Sequence, residues 1–145
     1  MQNRTIAAVA MATAFAGGFV ARGVVPGEPV AYAQSTRTFE LLTYTAPEGK
    51  LEALHNRFRD HTLALFKKHG MENIVYFRPV NAPASQNQLL YIVAHPSVEA
   101  SRKNWAELDA DPEWKQLQVD TQKDGPLIAK RETMLLQPTE YSPMK

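Results

Sequence analysis

The sequence predicts an α+β domain in which a four-stranded antiparallel sheet carries its helices on one face. Three observations lead there. Short β-forming runs and amphipathic runs follow the order β-α-β-β-α-β, the ferredoxin-like split motif. The β runs around Ile74-Val-Tyr-Phe77 and Leu89-Leu-Tyr-Ile-Val93 are apolar at both parities, so each face of the sheet needs cover. The second helical run is broken near Pro112, within Asp109-Ala-Asp-Pro-Glu-Trp114. With the helices on one side, a second sheet is left to cover the other, and two such domains packed sheet to sheet make a dimeric α+β barrel.

Thr36 to Tyr44 is rich in β-formers and reads as the first strand, with Phe39, Leu41 and Thr43 on one face and Glu40, Leu42 and Tyr44 on the other. Thr45-Ala-Pro-Glu48 has capping-box spacing, so a helix is expected to follow as far as His69. Its apolar stripe is Leu51, Leu54, Phe58, Leu65 and Phe66, with Arg57, Arg59, Lys67 and Lys68 read as mostly outside it. Gly70 ends that helix. Met71 to Val80 is the second strand, residues 81–87 form a turn, and Gln88 to His95 is the third strand. Ser97 caps the next helix, which runs to Leu108. Asp111 then acts as N-cap with Pro112 at the first helical position, where no backbone N–H is needed. On one continuous helix Trp105 and Trp114, nine residues apart, would face opposite ways. The break turns both toward one core. The second segment runs to about Lys123 and stops at Asp124-Gly-Pro126; Leu127 to Gln137 is the fourth strand, and a loosely held tail follows.

The start of the 145-residue chain stands apart from this domain. Arg4 precedes an uncharged run of about 17 small and apolar residues, Thr5 to Ala21, and Ala31-Tyr-Ala33 closes the segment. That is a secretory signal pattern: residues 1–33 are expected to be cleaved after Ala33 and residues 34–145 exported, periplasmic or secreted, as one domain. The alternative is a membrane anchor formed by residues 5–21. An organellar transit segment fits less well, because it would carry several Arg and Ser.

The chain has 16 Lys and Arg against 15 Asp and Glu; without Arg4, Arg22 and Glu28 the two signs balance. No basic stripe interleaved with aromatics is present, which argues against nucleic acid as a partner. The absence of cysteine excludes disulfides, thiolate metal sites and cysteine nucleophiles. An exported domain of this size must therefore hold by its core, and a homodimer interface would extend it.

Phe39-Glu-Leu-Leu-Thr-Tyr44 with Pro47-Glu-Gly-Lys-Leu51 resembles the opening of NIPSNAP proteins, and Phe66-Lys-Lys-His-Gly70 resembles their first helix end. Leu108-Asp-Ala-Asp-Pro-Glu-Trp114 is similar to their helix joint, and Leu136-Gln-Pro-Thr-Glu-Tyr-Ser-Pro143 to their C-terminal end. The resemblance spans residues 37–143. It implies a dimeric α+β barrel and little chemistry: animal members resemble mitochondrial proteins of trafficking and organelle quality control, without established catalysis. It also implies kinship with cofactor-free monooxygenases and haem-handling enzymes, whose ligands sit between sheet and helices. One position departs from the family: its first strand reads Glu-Leu-Arg-Thr-Tyr, and Leu42 stands here in place of the arginine.

Glu40 and Tyr44 share a strand face, and if it looks toward the helices they meet His61 in one cavity suited to proton transfer. The simpler expectation pairs Glu40 with a strand cation near Arg131 and leaves Tyr44 in the core. Trp105 and Trp114 are core anchors first and candidate walls of a ligand pocket second. His55, His61 and His69 lack the i, i+4 spacing of a helical metal site; His69 is placed to interact with the helix end and His95 at a loop edge. Asp109 and Asp111 fall short of a calcium loop, so no metal is expected. Two functions follow. One is a homodimeric domain that binds a protein partner or small apolar ligand, with no cofactor; the other is a cofactor-independent or haem-dependent oxidoreductase working through Glu40, Tyr44 and His61.

Overall fold

The computed structural model describes residues 37–145. The leader or anchor read from residues 1–33, including the expected cleavage after Ala33, lies outside them. Among the described residues, no helix is long and apolar enough to cross a membrane.

Strand β1 (Thr38–Thr45) is held on both sides. It pairs antiparallel with β3 (Gln88–His95) and with β4 (Lys130–Leu136), while β2 (Glu72–Phe77) lies outside β3. The sheet order is β2-β3-β1-β4, the ferredoxin-like arrangement expected from the element order. Side chains of one parity, Leu42, Tyr44, Leu89, Tyr91 and Val93, bury against the helices, and Leu42 and Tyr91 are 0% exposed. Each such large apolar side chain contributes roughly 1.5–3 kcal/mol by leaving water.

The first helix has three parts: α1 (Leu51–Arg57), a wide π turn (Phe58–Thr62) and α2 (Leu63–Lys68). At its end the Met71 N–H reaches the Phe66 carbonyl at 2.9 Å and the Gly70 N–H that of Lys67 at 3.2 Å. This double closure needs the left-handed backbone of Gly70, φ +74°. The capping box does not form. Thr45 stays in β1, paired with Gln88 and Lys130, and its carbonyl accepts from the Ala129 N–H at 2.8 Å. Two-sided strand pairing therefore outweighs a local cap, and the helix starts at Leu51 after a turn closed by Lys50 N–H to Pro47 O, 3.0 Å.

A short helix, α3 (Ala84–Asn87), precedes β3. The second helical layer is α4 (Val98–Ala110) followed by α5 (Pro112–Thr121). Ser97 caps α4 by accepting from the Ala100 N–H at 3.1 Å. Asp111 caps α5 by accepting from the Glu113 N–H at 2.8 Å, with Pro112 opening the helix. The joint does what its sequence implies, and Trp105 and Trp114 both pack on the core. Two strands are shorter than expected. β2 carries an irregularity between Asn73 and Val75 and ends at Phe77, and Leu127 and Ile128 join the core before β4 begins. The tail is not loose at its base: Gln137, Pro138, Ser142 and Met144 border a hollow of about 210 Å³ with Phe39 and Ile92 on the outer face. That face also carries half-buried Leu41 and Leu90 and exposed Met134 (59%), with the Lys130–Glu132 ion pair toward one end.

Candidate functional site

The strand parity that builds the core also brings Glu40 inward, where it is 4% exposed. Its Oε2 accepts from the Trp105 indole N–H at 2.7 Å and the Ser101 hydroxyl at 3.1 Å, both from α4, and its Oε1 from the Thr133 hydroxyl of β4 at 2.6 Å. His95, 1% exposed, stands with Nε2 3.3 Å from the same carboxylate. Asn104 Nδ2 donates to the Gly70 carbonyl at 3.0 Å and meets His95 Nδ1 at 3.2 Å. Nδ1 is thus the acceptor, and in the neutral ring Nε2 carries the proton toward Glu40. Burial alone would raise the Glu40 pKa; the groups offered by His95, Thr133, Trp105 and Ser101 outweigh it and hold the carboxyl at about 2. Such a carboxylate is a weak base that already accepts three side-chain hydrogen bonds. It ties α4 to β1 and β4.

Tyr44, also inward, lies at the centre of an aromatic layer. Its ring meets Tyr91 edge to face at 5.2 Å and Phe58 at 6.0 Å, and Tyr91 stacks on Tyr76 at 5.3 Å. Two guanidinium groups border this layer. Arg131 lies over Trp105 at 4.5 Å and over Tyr44 at 5.7 Å; Arg57, 4% exposed, lies over Trp114 at 5.5 Å. Burial raises the Tyr44 phenol against the pull of Arg131 and Arg57, and it raises Tyr91 further. Burial also lowers the Arg57 pKa. The Arg57 Nε–H and the Trp114 indole N–H are buried without a hydrogen-bond partner, and the buried Tyr91 hydroxyl has only that of Tyr44 beside it.

His61 does not join Glu40 and Tyr44. The π turn directs Thr62 inward, its hydroxyl donating to the Arg57 carbonyl at 3.2 Å, and leaves His61 exposed. Glu40 does not pair with Arg131, which sits opposite Tyr44 while Leu135 is opposite Glu40. His69 serves more than its own helix end, for its Nε2 lies 2.6 Å from Asp111 Oδ2 in the helix joint. His95 is in the core and not at a loop edge.

At the β2 edge of the same layer, a cavity of about 320 Å³ opens between the first helix and the sheet. Phe58, Leu63, Tyr76 and Leu89 form its apolar walls, His55 points a buried Nε2 without a partner, and Arg59 and Arg78 stand at its sides. Burial lowers the His55 pKa.

The NIPSNAP family model matches residues 39–143. The chain belongs to the NIPSNAP family. Among solved structures it is similar to a NIPSNAP family protein of unknown function from Agrobacterium tumefaciens, at 26% identity and TM-score 0.66, covering 77% of this chain and 96% of that one. It is also similar to a NIPSNAP-like domain protein from Burkholderia xenovorans (21% identity, TM-score 0.65, covering 75% and 90%). A monooxygenase from Streptomyces coelicolor in complex with nanaomycin D shares the fold at 14% identity and TM-score 0.50, covering 74% and 92%. No curated protein matches.

Within this NIPSNAP domain Leu42, which the sequence resemblance marks as a departure, is fully buried between Glu40 and Tyr44. Cations reach the layer instead from a helix, through Arg57, and from β4, through Arg131. Haem does not fit the residues present. His61 is exposed, His69 and His95 are engaged with Asp111, Asn104 and Glu40, and the His55 cavity is too small to enclose a macrocycle. Among the described residues no group of three or more His, Cys, Asp or Glu is placed to hold a metal.

Two important residues escaped the sequence reading. His95 has the parity of Leu89, Tyr91 and Val93, which marks it as inward. Arg57 follows Leu54 by three positions and so lies on the apolar stripe.

Proposed function

We propose that this NIPSNAP protein is an exported homodimeric domain that binds a small apolar ligand at the edge of its sheet–helix layer. The cavity of about 320 Å³ carries the reading, because its walls are aromatic and aliphatic and its polar groups are few. Glu40, held at about 2 and already accepting from Trp105, Ser101 and Thr133, supports binding over proton transfer. For the dimer, the support is the apolar part of the outer face, with half-buried Leu41 and Leu90 and exposed Met134. The test is a titration with the neutral fluorophore N-phenyl-1-naphthylamine. Saturable enhancement lost in Leu63→Trp, which fills the cavity, is the expected result; equal enhancement in both proteins refutes the site.

A cofactor-independent oxygenase is the second reading. One observation favours it: the Tyr44 phenol stands under the influence of both Arg57 and Arg131. Oxygen uptake with a hydroxynaphthoquinone that disappears in Tyr44→Phe would establish it, and no uptake with any such substrate would dismiss it.

A further inference from the structure

Arg57 presents an energetic problem that the fold leaves open. A guanidinium 4% exposed to solvent is ordinarily compensated by a carboxylate and by hydrogen bonds to most of its N–H groups. Among the described residues no carboxylate pairs with Arg57, and its Nε–H is buried with no acceptor. The buried carboxylate of Glu40 is already committed to Trp105, Thr133 and Ser101. Two more buried donors belong to the same neighbourhood: the indole N–H of Trp114, which has no partner and whose ring lies under the guanidinium, and the hydroxyl of Tyr91, coupled electrostatically to Arg57 and met only by the Tyr44 hydroxyl. These donors stand with no carboxylate among them, so the site is short of an anion.

We propose that Arg57, the Trp114 indole N–H and the Tyr91 hydroxyl form the polar end of a second binding site, one that takes a small aromatic carboxylate. The planar fork of an arginine matches the two oxygens of a carboxylate, and an ion pair made in a dry layer is strong. The surrounding Tyr44 and Trp114 rings suit an aromatic body more than an aliphatic one. The π turn that begins at Phe58 contributes to the placement. Thr62 occupies the Arg57 carbonyl, and a widened helical turn follows directly on the residue that carries the charge. This site is separate from the edge cavity, which lies on the Tyr76 and Leu89 side and is lined by neither Arg57 nor Trp114.

The test follows tryptophan fluorescence and the melting temperature of the purified full chain with benzoate and indole-3-acetate, with inorganic phosphate as a non-aromatic anion and benzamide as the uncharged isostere. Saturable quenching and a raised melting temperature are expected with the aromatic carboxylates, and none with benzamide. In Arg57→Met, affinity should fall by about tenfold to a hundredfold, the worth of charge-assisted hydrogen bonds. The unliganded variant should melt no lower than the wild type, because an uncompensated charge has been removed. Tyr91→Phe keeps the ring packing and should weaken binding severalfold. Equal response to benzamide, unchanged affinity in Arg57→Met and Tyr91→Phe, a marked loss of stability in unliganded Arg57→Met, or no saturable signal from either carboxylate up to about 10 mM would each overturn the assignment. A response to phosphate equal to that of benzoate would overturn the aromatic specificity. Because these probes are charged and N-phenyl-1-naphthylamine is neutral, failure here leaves the edge cavity's own test intact.

Discussion

Replacing Glu40 by Gln keeps the shape of the side chain and removes its charge, and the effect should depend on pH in a defined way. In the folded protein the carboxyl is held at about 2, against an ordinary value of 4.5. A depressed folded-state pKa means that the ionised form contributes stability fully above about pH 4.5 and loses it as pH falls toward 2. The interval corresponds to about 3 kcal/mol as an upper bound. The carboxylate lies beside the edge strand β4, whose residues are largely exposed, so screening reduces this to about 2 kcal/mol. Glu40→Gln should therefore unfold about 2 kcal/mol more easily near neutral pH, with its amide also turned against donors from Trp105, Thr133 or Ser101. Urea unfolding of both proteins from about pH 5 down to pH 2 supplies the check, since groups away from Glu40 titrate alike in the two and cancel in the difference. The gap should narrow steadily below about pH 4.5. A gap that stays constant across the range, or no gap at its upper end, would show that the ionised carboxylate does not hold α4 to the sheet.

Gly70→Ala should destabilise by about 1–2 kcal/mol, because φ is +74° and the new Cβ would stand 3.3 Å from the Asn104 amide; an unchanged denaturant midpoint would contradict this. Asp111→Asn should lower the melting temperature less than Asp111→Ala, since Asn can still cap α5 while both lose the ionic contact to Lys68; equal losses would remove the capping role. The Asp111 carboxyl is held below its ordinary range first by Lys68 and then by His69, so wild-type protein should lose stability relative to Asp111→Asn in acid and not at neutral pH. Met134→Glu should convert a dimer to a monomer in analytical ultracentrifugation by placing charge on the open sheet face, and a dimer that persists would move the interface elsewhere.

The fold was legible because its signals repeat over whole elements. Alternation in β1 and β3 sorts inward from outward residues, and Asp111-Pro112 marks the helix joint through two independent preferences. Thr45 shows the limit of a local rule: its capping box is four residues long and loses to strand pairing on both sides, which no local pattern reveals. The site was less legible for a related reason. Glu40 and Tyr44 were singled out correctly as one face, but the partners of Glu40 come from α4 and β4, 61 to 93 residues away. On a regular helical period His61 falls near the edge of the apolar stripe, and the π turn changes which residue points to the sheet. Arg57 was hidden by its charge, since an arginine beside an apolar stripe is normally at the surface.

Native mass spectrometry of the purified protein addresses the central claim, that this NIPSNAP domain works as a homodimer holding a small apolar molecule. The account predicts a dimer that takes up N-phenyl-1-naphthylamine at one molecule per chain and loses that uptake in Leu63→Trp. A monomer at micromolar concentration, or a protein that takes up no probe, would contradict it.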